Sequence, residues 1–116
     1  MDEKQLVEKA YEAIEIAKTS GKIKRGTNEA TKAVEKGNAK LVVVAKDTNP
    51  PEIIMHLGPL CKEKKILFVT VPSKIELGTA AGMPIGASAV AVIQEGDAKN
   101  SIKQISDALS GNNGSS

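Results

Sequence analysis

Three features predict an α/β fold, a three-layer α/β/α sandwich with a small mixed central sheet. A helical apolar stripe opens the chain. Short, continuous apolar runs rich in β-branched residues follow. Those runs alternate with further segments of helical spacing, which places helices on both faces of a sheet.

The elements follow in order. Leu6, Val7, Ala10, Ile14 and Ala17 recur at helical spacing, so residues 3–19 form a helix that Ser20-Gly21 ends. Gly26-Thr27 starts the next helix, with Thr27 as N-cap and Ala30, Ala33 and Val34 facing inward. Gly37-Asn38 stops it. Leu41 to Ala45 is wholly apolar, as expected of a strand covered on both faces. Asp47 to Pro51 is a turn, and the second proline starts a helix with Ile53, Leu57, Leu60, Cys61 and Lys64 in helical register. Ile66 to Val71 is a second buried strand, closed by Pro72. Ser73 caps a short helix through Ala81, and Gly82 ends it. Met83 to Gly86 is a loop, Ala87 to Ile93 a third main strand, and Ala98 to Leu109 a last helix with Ile102, Ile105 and Leu109 inward. Residues 1–110 make one domain, with a disordered tail expected over 111–116.

Composition narrows the function. A chain of 116 residues supports one core. Its aromatic residues are Tyr11 and Phe68 alone, so the core is aliphatic, and the chain lacks the rings that base-stacking RNA modules use. Cys61 stands alone, which rules out an internal disulfide and suits a reducing cytoplasm. No signal-peptide pattern opens the sequence, and its apolar runs are too short to span a bilayer.

Catalytic patterns are lacking. No Walker-type phosphate loop is present, and no glycine fingerprint follows a strand. Gly78 and Gly82 sit at the end of a short helix, where close packing and a C-cap account for them. His56 and Cys61, five residues apart on one helix, point about 140° away from each other and cannot form a nucleophile–base pair. One histidine and one cysteine do not make a metal site. We therefore expect no enzyme activity and no cofactor. The alternative is a small-molecule-binding or enzymatic α/β domain built from serines and carboxylates.

Net charge is +2, but its distribution is uneven. Between Lys22 and Lys40 lie six basic residues (Lys22, Lys24, Arg25, Lys32, Lys36, Lys40) and two acidic ones, Glu29 and Glu35. Such a cluster is either a solvated helix face or a phosphate-binding patch. Within it, Asn28, Glu29, Lys32 and Lys36 lie opposite Ala30, Ala33 and Val34 on the helical wheel. In the plainer reading Thr27 and Asn28 cap, Glu29 favours the positive helix end, and Lys32 pairs with Glu29 or Glu35. In the functional reading the helix start receives a phosphate and lysines neutralise others. Asn28 could then donate and accept at base edges, while Glu29 could only accept. A carboxylate beside phosphates is unfavourable unless it reads a base directly. Regular A-form RNA hides its base edges in a deep, narrow groove, so such a cluster suits RNA that is already distorted.

Several blocks of the chain resemble one family. They are Lys24-Arg-Gly-Thr-Asn-Glu-Ala-Thr-Lys-Ala-Val-Glu-Lys-Gly37, Ala39-Lys-Leu-Val-Val-Val-Ala-Lys-Asp47, Pro51-Glu-Ile-Ile54 and His56-Leu-Gly-Pro-Leu-Cys61. Val71-Pro-Ser-Lys74, Leu77-Gly-Thr-Ala-Ala-Gly82 and Glu95-Gly-Asp-Ala98 continue the match, which covers about residues 3–105. Together they are similar to the kink-turn-binding ribosomal protein family, typified by the archaeal large-subunit protein L7Ae. The resemblance implies an α/β/α sandwich that binds kink-turn and kink-loop RNA, where tandem sheared G·A pairs flank a bulge. The partners it implies are ribosomal RNA, box C/D and H/ACA guide RNAs, ribonuclease P RNA and other ribonucleoprotein proteins. The Glu95-Gly-Asp-Ala98 block suggests an archaeal source, and the short apolar runs suggest no membrane partner. The pattern shows no large apolar surface, so a monomer is expected when the chain is free of RNA. By position, Asn28, Glu29 and Lys32 would read the guanines of the sheared pairs, and Gly26 and Thr27 would approach the RNA backbone. Lys22, Lys24, Arg25 and Lys36 are phosphate candidates. Met83, Pro84, Ile85, Gly86 and Ala87 would form an apolar loop against the bulged nucleotides. Pro84 and Gly86 depart from the residues common in relatives there.

Overall fold

The computed structural model describes residues 1–114, with side chains through residue 110. Helix α1 (Glu3–Ser20) is opened by a capping box. Asp2 Oδ1 accepts from the Gln5 amide at 2.8 Å, and the Asp2 amide donates back to Gln5 Oε1 at 3.0 Å. There follow β1 (Lys22–Arg25), α2 (Thr27–Glu35), β2 (Leu41–Ala45), α3 (Glu52–Met55), α4 (Leu57–Lys64) and β3 (Leu67–Val71). Then come α5 (Lys74–Ala80), β4 (Ala89–Gln94), a 3₁₀ turn (Gly96–Ala98) and α6 (Lys99–Gly114). The strands form one mixed sheet in the order β1-β4-β2-β3. β2 and β3 are parallel, and β4 runs antiparallel to both β2 and β1.

The three predicted layers are present, and the strand alternation builds them. Leu41, Val43 and Ala45 of β2, with Val90 and Val92 of β4, meet Ala10, Ala13, Ile14 and Ala17 of α1 and Ile102 and Ile105 of α6. Val42, Val44, Ala89 and Ala91 point to the other face, against Ala30, Ala33 and Val34 of α2 and Leu57 and Cys61 of α4. The small alanines let helix backbones approach closely, which is how a core with few rings reaches full packing. Burial pushes the Cys61 thiol up to about 11. Cys61 is therefore expected to stay unreactive to a disulfide reagent at pH 8 and to titrate as one thiol after denaturation.

Several element boundaries differ from expectation. β1 is an additional strand. Its sequence Lys-Ile-Lys-Arg has only Ile23 half-buried, so it carries no apolar run to announce it. It exists because β4 offers it an edge, with Arg25 opposite Val90. β3 is a sheet edge and not a strand buried on all sides, and Thr70 is exposed. The helix after Pro51 is broken into α3 and α4. Pro59 has no N–H for the Met55 carbonyl, so the ladder lapses there and resumes with the Leu60 amide on the His56 carbonyl. The inward residue of α3 is Ile54, which packs on the core, while Ile53 is exposed. β4 starts at Ala89 and not at Ala87: the Ser88 carbonyl still accepts from the Ala45 amide of β2 at 2.9 Å, but Ala87 bonds outside the sheet. The Ala87 amide donates to the Lys74 carbonyl, and Ser88 pairs with Thr27. α6 runs on to Gly114, past Leu109 and into the stretch expected to be disordered. No proline in Ser-Gly-Asn-Asn-Gly stops the backbone. The final two positions of that tail, 115 and 116, lie outside the described residues.

Candidate nucleic-acid interface

Helix α2 begins at Thr27, and Gly26 occupies the cap position. The expectation that Thr27 caps the helix is thus corrected. Gly26 has φ +96°, a conformation that side chains resist, and its amide donates to the Ala89 carbonyl at 2.8 Å. No side chain caps the helix. The Thr27, Asn28 and Glu29 amides, which precede the first intrahelical bond from Ala30 to Gly26, have no intrahelical acceptor. A helix end of this kind favours an anion.

Thr27 Oγ1 lies 2.7 Å from Ser88 Oγ. One hydroxyl donates to the other, and the acceptor keeps its own proton for a group outside. Together with the Gly26–Ala89 bond, this ties the start of α2 to the end of the 83–88 loop, some sixty residues away in sequence. Arg25 adds a third tie, its Nε donating to the Ala81 carbonyl at the end of α5 (2.8 Å). Part of its guanidinium is therefore structural. Thr31, one turn into α2, donates to the Thr27 carbonyl (2.7 Å) and lies 2.7 Å from His56 Nε2. Since the threonine proton is spent on the carbonyl, the histidine nitrogen is the donor, and it links α2 to the start of α4.

Asn28, Glu29, Lys32 and Lys36 are exposed, as the helical wheel requires. Lys24, Glu29, Lys32 and Lys36 line one shallow groove of about 110 Å³ with Asn38 and Ile93. Lys32 Nζ is 3.7 Å from Glu29 Oε2, both side chains about half or more in solvent. An exposed pair of this kind contributes about 0–1 kcal/mol. It orders the two side chains without committing them, so a ligand can take both. Lys22 is exposed at the outer end of β1.

The loop residues divide. Ile85 is 69% exposed, and Pro84 is exposed beside it. Met83 is half-buried against the core. Gly86 sits over the Lys74 side chain. Ala87, expected at the end of the contact loop, has its side chain buried at 2% exposure and its amide spent on the Lys74 carbonyl. Two neighbours were missed from sequence. Ser88 needs β1 to be known before its position opposite Thr27 can be read. Lys74 is an exposed cation under the loop, its amide held by Asp47 Oδ1 at 2.8 Å. It appeared only as part of a short capped helix.

The sequence model of the ribosomal protein L7Ae/L30e/S12e/Gadd45 family matches residues 8–102. The chain belongs to that family. Among solved structures, it is similar to a Giardia lamblia protein described as a 15.5kD RNA binding protein, with 31% identity and a TM-score of 0.82. That likeness covers 87% of this chain and 84% of the other. Membership of the family agrees with the resemblance read from the Gly26–Lys32 run and its companion blocks. Among the described residues, no helix is long and apolar enough to cross a membrane.

Proposed function

We propose that this protein binds RNA and selects the kinked conformer of a kink-turn or kink-loop. The observation that carries the proposal is the junction of the uncapped start of α2 with the 83–88 loop, fixed by the Gly26–Ala89 and Thr27–Ser88 bonds. It sets polar groups able to read bases beside an apolar tip, on a surface rich in lysine. Asn28 and Glu29 engage the guanines of sheared G·A pairs, and Lys32 serves the same pairs or a flanking phosphate. Lys22, Lys24, Lys36 and the free part of Arg25 neutralise phosphates. The helix-start amides and the Thr27–Ser88 pair face the RNA backbone. Ile85, backed by Met83 and Pro84, covers bulged bases, with Lys74 beneath.

In this reading residues 1–110 are one RNA-binding domain, without enzyme activity or cofactor, working in the cytoplasm as a monomer until RNA is bound. Its RNA partners are large-subunit ribosomal RNA, box C/D and H/ACA guide RNAs and ribonuclease P RNA, alongside other ribonucleoprotein proteins. Kink-turn RNA is expected to bind at least tenfold tighter than a straight duplex of equal length at matched salt. Equal affinities would sink the proposal. End-labelled RNA should also draw its ends together as protein is added, because binding shifts the RNA toward the bent state.

The loop has its own test. Ile85→Ser is expected to weaken binding several-fold and to leave thermal stability nearly unchanged, since Ile85 buries little in the free protein. Met83→Ser is expected to lower stability as well, because Met83 packs on the core. A stability loss at Ile85 without a binding loss would take the loop out of the interface.

A further inference from the structure

The two edges of the sheet are treated differently. β1 is guarded. Three of its four residues are basic, and its register with β4 shifts between Lys22 and Ile23. Charges and bulges of this kind stop another strand from adding. β3 has neither. Leu-Phe-Val-Thr-Val contains no charge, glycine or proline, and its register with β2 is regular over all five residues. Val71 turns its carbonyl toward β2, where it accepts from the Lys46 amide at 2.7 Å. Successive residues of a strand face opposite edges, so Phe68 and Thr70 direct their N–H and C=O groups outward. Among the described residues no backbone bond crosses that edge.

A cavity of about 640 Å³ opens at the C-terminal end of this edge. Glu3, Lys4 and Val7 of α1 form one wall, and Lys46, Thr70 and Pro72 line the rest. Val7 and Pro72 supply an apolar floor, and the two lysines outweigh the single glutamate. At the other end of β3, the exposed Lys64 and Lys65 lead into the strand. The open edge therefore has positive charge at both ends and an apolar recess at one.

We propose that β3 is a docking edge for an extended acidic segment of a partner protein. The segment adds as a fifth strand, its main chain bonded to Phe68 and Thr70. One side chain fills the recess over Val7 and Pro72, and carboxylates meet Lys46 and Lys4 there and Lys64 or Lys65 at the far end. The guarded β1 edge lies beside the RNA surface, so the two edges divide between nucleic acid and protein.

The test uses the full chain, isotopically labelled, and a seven-residue peptide alternating glutamate with valine. Controls are the same peptide with lysine for glutamate and one with a central proline. The acidic peptide should move the amide resonances of Phe68 and Thr70 and slow their hydrogen exchange, and both controls should fail. Thr70→Pro removes an outward donor and should weaken peptide binding at least tenfold. Because that variant could unfold, Lys46→Glu is the second. It should weaken the acidic peptide several-fold and strengthen the lysine peptide, with its circular dichroism unchanged. The proposal is overturned if millimolar acidic peptide leaves the Phe68 and Thr70 amides unmoved, or if Lys46→Glu treats both peptides alike. It is also overturned if sedimentation shows a dimer through this edge that Thr70→Pro dissolves, which would make a second copy the occupant. Displacement of the peptide from Phe68 and Thr70 by kink-turn RNA would assign the edge to RNA and overturn it equally.

Discussion

Glu29→Gln is expected to weaken binding to kink-turn RNA by roughly 1–3 kcal/mol. Elementary electrostatics says the opposite, since removing a negative charge near a polyanion should help. The two effects differ in range and in response to salt. Repulsion between Glu29 and phosphates acts through solvent and fades as salt rises. A hydrogen bond from a guanine N–H to a carboxylate oxygen is local and stronger than one to a neutral amide. Glu29 lies on the exposed side of α2, clear of the Ala30–Ala33–Val34 core face, so the exchange should not disturb folding. The measurement is affinity across a salt series. Tighter binding by the variant at every salt concentration would reduce Glu29 to a helix-end charge and remove it from base reading. Lys32, its ion-pair partner, is the complement. If it neutralises a phosphate, Lys32→Ala should make the salt dependence shallower by about one counterion. If it reads a guanine edge, the loss should be greatest on RNA with intact G·A pairs.

How much of this was legible in the sequence depended on whether a residue's role is local. The helices α1, α2 and α5 and the central strands β2 and β4 were readable, because burial imposes a period on side chains that a sequence displays. The outward set Asn28, Glu29, Lys32 and Lys36 was readable for the same reason. β1 was not, because an edge strand flanked by solvent carries charges in place of an apolar run. From that omission followed the misreading of the start of α2. Without β1 opposite β4, nothing brings Gly26 to Ala89 or Thr27 to Ser88. Thr27 then looks like a cap, since the partner that claims its hydroxyl is out of sight. The break at Pro59 was legible in principle, as a proline eight residues into a proposed helix, but apolar spacing on either side concealed it. Ala87 was misplaced because its composition fits either a loop or a strand, and only the bond to Lys74 decides.

Gly78→Ala is expected to lower both the stability of the protein and its affinity for RNA. In isolation alanine favours a helix over glycine by about 1 kcal/mol. Gly78 lies inside α5, so propensity alone predicts stabilisation. The loop decides otherwise. A Cβ on Gly78 would sit 2.1 Å from the Ile85 carbonyl oxygen and 3.0 Å from the Gly86 Cα, both backbone atoms without a rotamer to escape into. Either α5 moves off the sheet, exposing Leu77 and Ala80, or the loop lifts. Overpacking of this kind costs about 1–3 kcal/mol beyond the propensity gain, which corresponds to a fall in Tm on the order of 10 °C for a domain of this size. If the loop lifts, it carries Ile85 away and pulls Ser88 from Thr27, so RNA affinity falls with stability. Gly37→Ala is the control. Its φ of +73° strains a side chain, but no atom lies within 4 Å of the added Cβ, so it should cost about 1 kcal/mol and leave RNA binding intact. Equal melting temperatures for Gly78→Ala and the unaltered protein would show that the contact between α5 and the loop yields easily. The loop would then be positioned by the Thr27–Ser88 and Gly26–Ala89 bonds alone.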